Sequence, residues 1–446
     1  MAADLCRGRG VRLIAGLVLV VVLAARPAAN KIIINIDSPT FTKLPVAVTA
    51  FATPPPTAPA QELASWFAAN LASCLEITGY FNVVSRRPFT YEQIQQGIES
   101  GAWKSLEAEY LVTQALTQQG GELIMEWQLL DVVSTEKIAG KRYLGRPADR
   151  ERMVVQAAEE IVTALTGEGI VFSTQLAFVQ KKGQLADIYR LNFAGGTPRR
   201  ITSYHSLTLA PRWSPDGRFL TFTSYREGNP DIYLLELAAG ATRKVVGFRA
   251  LNIPGAFAPD GRSILFSSDK DGNQDIYILQ LEGGQIRRLT SDPAIDVSAV
   301  WSPDGTRVAF VSNRGGAPQI YIMNSSGGDV RRLTYSGSYN SSPAWSPVGS
   351  RIAYEGREGG QFHIFVIDAD EGGDPVQLSP PGVNCEAPSW SPDGRYLAFT
   401  AQRGGRAQIC IVNANGTNLR VLYETEEDIS GLAWSPRLSL QLLFSG

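Results

Sequence analysis

The chain is poor in the residues on which many enzymes and nucleic-acid-binding proteins depend. Its 446 residues include two histidines and four cysteines, and its formal net charge is -2. Without a basic excess, the chain lacks the electrostatic footprint of a nucleic-acid-binding protein. Neither His205 nor His363 has an evident triad partner, and no G-x-S-x-G nucleophile elbow occurs. We therefore expect neither a nucleic-acid-binding protein nor a serine hydrolase.

Long hydrophobic runs are confined to the beginning of the chain. Arg7, Arg9 and Arg12 precede the apolar run Leu13–Ala25, and small residues follow it. This order of basic, apolar and small residues is typical of a secretory signal peptide, which we place at residues 1–29. A retained membrane anchor is disfavoured because the run is shorter than the ~20 residues that a bilayer span needs. We expect the mature protein to lie outside the cytoplasm without spanning a membrane.

Cysteine is too scarce and too irregularly spaced for a disulfide framework. Loss of the leader removes Cys6 and leaves Cys74, Cys385 and Cys410, an odd number. Cys74 falls in an apolar helical stretch, and Cys410 replaces the aromatic residue of a repeated strand. We predict buried free thiols, with a bridge between Cys385 and Cys410 as the open alternative.

Residues 30–167 have the pattern of a separate domain. β-branched runs at 31–36 and 44–51 predict strands, and apolar residues at helical spacing predict a helix over 61–79. The later elements are expected, in order, as a strand at 80–85, a helix at 90–100, strands at 109–118, 123–134 and 137–145, and a helix at 149–165. Strands mixed with helices in this way argue for a small α/β domain.

Glycine and proline are plentiful in the rest of the chain, where one five-residue motif is repeated. Trp213–Gly217 reads WSPDG, and whole or altered copies begin at Phe257, Trp301, Trp345, Trp390 and Trp434. The leading aromatic residues are 44 or 45 residues apart, and a fixed period of this size is the sign of a repeat architecture. Each repeat combines a Pro-Asp-Gly turn with an alternating strand and further short strands, which is the pattern of a four-stranded propeller blade.

Both ends of the repeat array contribute to the number of blades. Residues 174–202 match the second, third and fourth strands of a blade, whereas 432–436 match only the first strand. Five complete blades and one assembled from both ends make six, and this closure removes open sheet edges that would invite aggregation. The sequence predicts an all-β six-bladed propeller over residues 168–446, preceded by the α/β domain at 30–167.

No motif predicts a metal or a cofactor. Residues 269–275 alternate acidic residues with a glycine, but they lack the glycine and the glutamate that an EF-hand loop needs at its sixth and twelfth positions. Because other repeats hold turn residues in the same slot, we interpret this stretch as a hairpin turn. His363 fills the slot that Asp187, Asp231 and Asp275 occupy in other repeats, which favours a structural role inside the blade.

The remaining candidate for function is a binding platform around the central channel. Loops that enter the innermost strands of a propeller crowd the rim of its channel, where polar and aromatic groups can recognise a protein or peptide. The candidate rim residues are Tyr204, His205, Leu251, Asn252, Asp292, Asp296, Tyr339, Asn340, Asn384 and Glu386.

The combination of a signal peptide, an α/β domain and W-S-P-D-G repeats resembles the TolB family of the Tol-Pal system. Further markers are IIINIDSP after the leader and LTGEGIVFSTQLAFV at the domain junction. The chain departs from the repeat at Phe257-Ala258 and at Val348, which bears on local packing. The resemblance implies a monomeric, non-catalytic adaptor of the periplasm that supports outer-membrane integrity and invagination during cell division.

The resemblance also implies two partners. The peptidoglycan-associated lipoprotein Pal would dock at the channel rim, and the inner-membrane protein TolA would bind the segment after the leader. That segment comprises Asn30, Lys31, Ile32, Ile33, Ile34, Asn35 and Ile36. A short β-branched segment can add as a strand to the sheet edge of a partner. The alternative class is a periplasmic propeller enzyme, peptidase-like or lyase-like, with its ligand in the channel.

Overall fold

The computed structural model describes residues 42–52, 58–86, 96, 107–167, 169, 171–439 and 442–443. The predicted leader, the predicted strand at 31–36 and all but Gln96 of the predicted helix at 90–100 lie outside the described residues.

The amino-terminal domain is a mixed sheet with two helices on one face. Its strands are β1 (Leu44–Ala52), β2 (Phe81–Ser85), β3 (Tyr110–Gln119), β4 (Glu122–Asp131) and β5 (Lys137–Gly145). Its helices are α1 (Ala58–Ile77) and α2 (Arg150–Thr166). The strands lie in the order β2-β1-β3-β4-β5, with β1 parallel to both of its neighbours and the other pairs antiparallel.

The sequence pattern of this domain accounts for its two layers. Along β4, burial alternates, and Met125, Trp127 and Leu129 join the core with the helices. Helix α2 ends at Gly167, whose φ of 77° is a left-handed conformation that glycine adopts without a steric cost. The elements predicted within the described residues are confirmed, with ends displaced by up to three residues.

Six four-stranded antiparallel sheets follow, and each is one blade. Blade 1 combines β29 (Asp428–Trp434) with β6 (Gln175–Lys182), β7 (Leu185–Asn192) and β8 (Arg199–Arg200). Blade 2 is β9 (Thr208–Trp213), β10 (Phe219–Ser224), β11 (Asp231–Glu236) and β12 (Ala241–Val246). Blade 3 is β13 (Asn252–Phe257), β14 (Ser263–Ser268), β15 (Asp275–Gln280) and β16 (Ile286–Arg288).

The last three blades follow the same order. Blade 4 is β17 (Asp296–Trp301), β18 (Arg307–Ser312), β19 (Gln319–Asn324) and β20 (Arg331–Arg332). Blade 5 is β21 (Asn340–Trp345), β22 (Arg351–Glu358), β23 (Gln361–Asp368) and β24 (Gly372–Gln377). Blade 6 is β25 (Asn384–Trp390), β26 (Tyr396–Arg403), β27 (Arg406–Asn413) and β28 (Arg420–Thr425).

The first strands of the blades form the wall of a central channel. Each of β9, β13, β17, β21, β25 and β29 contacts the next, and the ring closes between β29 and β9. Blade 1 is completed by the ladder between β29 and β6, in which Trp434 lies opposite Leu176. Between blades 4 and 5, Trp345 packs with Ile320 in one hydrophobic cluster, so the repeated aromatic residue fills the wedge between sheets. The predicted six-bladed propeller and its closure are confirmed.

A β-bulge interrupts each of these innermost strands before its aromatic residue. In five of the six strands, the residue three before the aromatic has a φ between 49° and 61°, namely Ala210, Ser298, Ser342, Ala387 and Gly431. A non-glycine residue in this left-handed region costs about 1–3 kcal/mol. The same left-handed geometry therefore recurs around the channel wall, with strain at its four non-glycine positions that the packing of the blades holds in place.

The repeated turn is stabilised by a small network that its sequence encodes. In blade 2, the Ser214 hydroxyl donates to Asp216 Oδ1 at 2.6 Å and accepts from the Phe219 amide at 2.9 Å. In blade 4, hydrogen bonds from Ser302 and Thr306 lower the pKa of Asp304 to about 2. Because this folded-state pKa lies below the ordinary value of 3.8, the contribution of Asp304 is present above that value and is lost as the pH falls towards 2. The turn of blade 3 has Ala258 in place of the serine.

Restoring the serine should stabilise the protein. In the Ala258→Ser variant, the new hydroxyl can donate to Asp260 and accept from the Ser263 amide, which should raise the free energy of unfolding by about 0.5–1.5 kcal/mol. The matched control is Ser302→Ala, which removes the same network from blade 4 and should lower the free energy of unfolding. Urea unfolding measures both, and equal midpoints for the two variants would contradict this account of the turn.

The two faces of the propeller differ in what covers them. The W-S-P-D-G turns lie on one face, here called the turn face, and the loops that enter the innermost strands lie on the opposite face, here called the loop face. The amino-terminal domain packs on the turn face, where the Tyr396 hydroxyl donates to the Thr78 carbonyl at 2.8 Å and Arg395 Nη1 donates to the Tyr80 hydroxyl at 3.1 Å. The loop face points away from that domain.

The described thiols are free and buried. Cys385 lies on β25 and Cys410 on β27, and β26 runs between these two strands. With about 4.8 Å between neighbouring strands, their Cα atoms are separated by more than the ~7 Å that a disulfide can bridge. The open alternative of a bridge is therefore excluded. Burial raises the pKa of Cys74, Cys385 and Cys410 to about 12.

Candidate partner-binding face and channel

The loop face displays seven of the ten predicted rim residues at its surface. His205 and the hydrophobic side chains of Leu251 and Tyr339 are exposed, the latter two at 36% and 38%. Tyr204, Asp292, Asn384 and Glu386 are half-buried. Partner binding by these seven residues stays a prediction.

The other three rim residues are buried, and their prediction as contacts is wrong. Asn252, Asp296 and Asn340 each begin an innermost strand and are at most 1% exposed. Asn252 donates from Nδ2 to the carbonyls of Pro230, Phe248 and Ala250. Such side chains hold the loops in place and have no surface to offer a partner.

Asp296 illustrates why a charged residue can lie inside this face. Its carboxylate accepts two hydrogen bonds from Arg314 Nη2, at 2.9 and 3.1 Å. Burial raises the pKa of Asp296, and Ser312 and Arg314 oppose this shift. The Arg314 guanidinium in turn lies over the rings of Phe310 and Tyr321, 5.4 and 5.3 Å from their centroids. The pair is thus part of the core of blade 4.

Two hydrophobic residues of the loop face that were not predicted from the sequence are more exposed than Leu251 and Tyr339. Ile295 is 49% exposed and Tyr335 is 73% exposed, each in a loop that enters an innermost strand. With Leu251 and Tyr339 they form an apolar arc over blades 3, 4 and 5, and the Tyr339 ring meets Phe362 edge-on at 5.6 Å. The signal in the sequence that could have identified Ile295 and Tyr335 was their position close to predicted rim residues. Exposed apolar groups with polar neighbours are typical of a protein-binding surface.

A second aromatic position of the loop face is rigid. The Tyr204 ring stacks on Phe222 at 6.0 Å, and the Arg226 guanidinium lies 4.8 Å from its centroid. The Tyr204 hydroxyl is within 2.9 Å of Thr242 Oγ1. An aromatic side chain that is already ordered loses little conformational entropy on binding a partner.

The central channel contains a cavity of about 450 Å³ that borders every innermost strand. Most of its wall is small or apolar, but Arg212, Glu355 and Glu386 introduce charge. Glu355 accepts from the Ala387 amide at 2.6 Å and from the Ser341 hydroxyl at 2.8 Å. Burial raises the pKa of Glu355, these hydrogen bonds oppose the shift, and the charge of Glu386 adds to it.

The described residues contain no group of three or more His, Cys, Asp or Glu side chains that could hold a metal ion. His363 is 7% exposed on β23, where its ring meets Phe365 edge-on at 6.5 Å. Of the helices in the described part of the chain, none combines the length and the apolar character that crossing a bilayer requires.

These features define a two-domain protein, an α/β domain followed by a six-bladed propeller with a charged channel and with its loop face opposite the α/β domain. The family described as TolB beta propeller domain matches residues 162–438, and the family described as TolB amino-terminal domain matches residues 32–138. The chain belongs to the TolB family.

Known relatives agree with this assignment. The Tol-Pal system protein TolB of Syntrophus aciditrophicus is 46% identical over 238 residues, which cover 50% of this chain and 52% of the relative. That of Desulfosudis oleivorans is 37% identical over 219 residues, 48% of this chain and 50% of the relative. The chain thus spans about half the length of the curated relatives it matches. The crystal structure of TolB from Acinetobacter baumannii superposes with a TM-score of 0.75 at 26% identity, covering 89% of this chain and 97% of that one.

Proposed function

We propose that this protein is a non-catalytic periplasmic adaptor of the Tol-Pal system that binds Pal on its loop face and TolA through residues 30–36. The names of the relatives support membership of the system. The observation that carries the proposal is the apolar arc of Leu251, Ile295, Tyr335 and Tyr339, which stands on the face opposite to the amino-terminal domain. Adaptation between envelope layers requires two separate binding surfaces, and we assign these roles to the loop face and to residues 30–36.

The docking site is proposed for the arc rather than for the buried polar residues at the strand starts. Binding energy in protein interfaces is concentrated in a few central hydrophobic or aromatic residues that become fully desolvated. Tyr339 and Ile295 meet this description because their side chains are exposed beside ordered neighbours. The half-buried Asp292 and Glu386 would contribute orientation and association rate.

Titration calorimetry with purified Pal and with the periplasmic part of TolA tests the proposal. Ile295→Asp and Tyr339→Ala should each weaken Pal binding by about tenfold or more, since each removes a central apolar contact worth about 2 kcal/mol. Val376→Asp is the matched control, because Val376 is 61% exposed on the outer strand of blade 5 and faces no proposed partner. It should leave the Kd for Pal unchanged.

The same titration separates the two partners. A chain without residues 31–36 should keep its affinity for Pal and lose TolA. Wild-type affinity for Pal in both arc variants would place the Pal site elsewhere on the molecule. Unchanged TolA binding after the deletion would exclude strand addition by this segment.

A further inference from the structure

Three charged side chains that line the central cavity form no ion pair with the residues that the structure describes. Arg212 stands directly before the aromatic residue that ends its innermost strand. In the other blades this position is held by small or aliphatic residues, Ala256, Val300, Ala344, Ser389 and Ala433, all of which line the same cavity. The long guanidinium side chain of Arg212 is therefore an exception in one layer of the wall.

The positive charge of Arg212 is not balanced by an acidic side chain among the described residues. Its Nη1 donates to the neighbouring Pro211 carbonyl at 2.9 Å, and it forms no ion pair with the residues that the structure describes. Burial lowers the pKa of Arg212, and no acidic group offsets the shift. A guanidinium presents a planar fork of donors that matches a carboxylate in geometry and charge.

The opposite charge lies further along the channel. Glu355 and Glu386 line the cavity on the side of the loop face, and neither forms an ion pair with a described residue. Burial raises the pKa of Glu355, and repulsion from the charge of Glu386 adds to this shift. An ammonium group placed between them would relieve this repulsion. The cavity is thus negative towards the loop face and positive towards the turn face.

The spacing of the charges sets the size of a ligand. Arg212 stands one residue before its aromatic and Glu386 four before its own, and the β-bulge between these positions leaves an offset of two ladder residues along the channel wall, roughly 7 Å at strand geometry. The two residues also stand on different blades, so the separation across the channel adds to this offset, and an extended peptide of three residues spans about 10 Å from its amino group to its carboxylate. We propose that the channel binds a short zwitterionic peptide, with its carboxylate on Arg212 and its ammonium group between Glu355 and Glu386. The cavity of about 450 Å³ lies within the range of small-molecule sites.

Triglycine is a suitable probe because its only charges are at its two ends. Calorimetry on the full chain should detect binding of triglycine and a Kd at least about tenfold weaker for triglycine amide, which lacks the carboxylate. N-acetyl-triglycine, which lacks the ammonium group, should also bind more weakly. Arg212→Gln should weaken triglycine by about tenfold and leave triglycine amide unchanged, whereas Arg212→Lys should retain part of the affinity.

A second measurement separates binding from folding. Because the charge of Arg212 is unpaired, Arg212→Gln should raise the melting temperature or leave it unchanged, whereas a purely structural arginine would give a loss. Glu386→Gln should weaken triglycine and leave N-acetyl-triglycine unaffected. Absence of binding at about 10 mM triglycine, or equal Kd values for triglycine and its amide, would overturn the proposal. Since the probe needs no partner protein, failure of the adaptor function would not affect this test.

Discussion

Removal of residues 432–446 is expected to unfold the propeller and to cause aggregation. The deletion takes away Trp434, whose indole N–H donates to Thr174 Oγ1 at 2.9 Å and whose ring packs on Phe193 and Tyr396. It also takes away Leu438, which is 6% exposed, and the pairs of Ala433 with Ala177 and of Trp434 with Leu176, so part of the β6 edge is left open. An unpaired strand edge is a template for pairing with other chains.

Differential scanning calorimetry with light scattering measures this effect, and one substitution measures the contribution of Trp434 alone. Trp434→Ala should cost about 3–5 kcal/mol, the range for truncating a buried tryptophan. Trp301→Ala in blade 4 is the matched control, because Trp301 holds the same repeat position but is half-buried. It should cost less. A shortened chain that melts like the full one would show that closure by β29 is not required.

Replacement of Asp296 by lysine should also unfold the protein, and for a different reason. The Asp296 side chain is fully buried, and Arg314 is its charge partner at 2.9 Å. A lysine at this position would place two cations side by side without solvent, which costs about 3–5 kcal/mol or more. Loss of Pal binding in this variant would therefore report unfolding and not the position of an interface.

Asp292→Lys is the matched control in the same loop. Asp292 is half-buried, and its carboxylate accepts only a local hydrogen bond from the Ala294 amide at 2.9 Å among the described contacts. Circular dichroism melts should give a large decrease for Asp296→Lys and a change within about 1 kcal/mol for Asp292→Lys. Equal melting temperatures for the two variants would show that the pair of Asp296 and Arg314 is not essential to blade 4.

The repeat made most of the fold predictable. Its period is visible in the aromatic residues, and its turn chemistry is local, so each blade could be predicted without knowledge of the next. Closure was predictable as well, because the first and last repeats were each incomplete in complementary ways. The register of β29 on β6 depends on contacts across the ring and could not be deduced from either segment alone.

The rim was harder to predict because exposure depends on neighbouring blades. Asn252, Asp296 and Asn340 are polar residues at loop ends, which favoured a surface role. The repeat itself carried the opposite signal, since each stands five residues before its aromatic. Blades 6 and 1 hold the buried Cys385 and Ile429 at that position. A position that accepts cysteine and isoleucine in other repeats is an interior position, and reading the repeat by column would have corrected the prediction.

The ladder between β29 and β6 also governs the order in which the molecule can be completed. The Ser435 hydroxyl accepts from the Gln175 amide across 260 residues of sequence, so blade 1 begins first and is finished last. A chain that emerges amino-terminus first must hold β6 unpaired on one side while five further blades form. Contacts at such sequence separation slow folding and prolong the lifetime of open sheet edges. Strand β6 therefore requires protection from aggregation during folding, although it is paired on both sides in the mature ring.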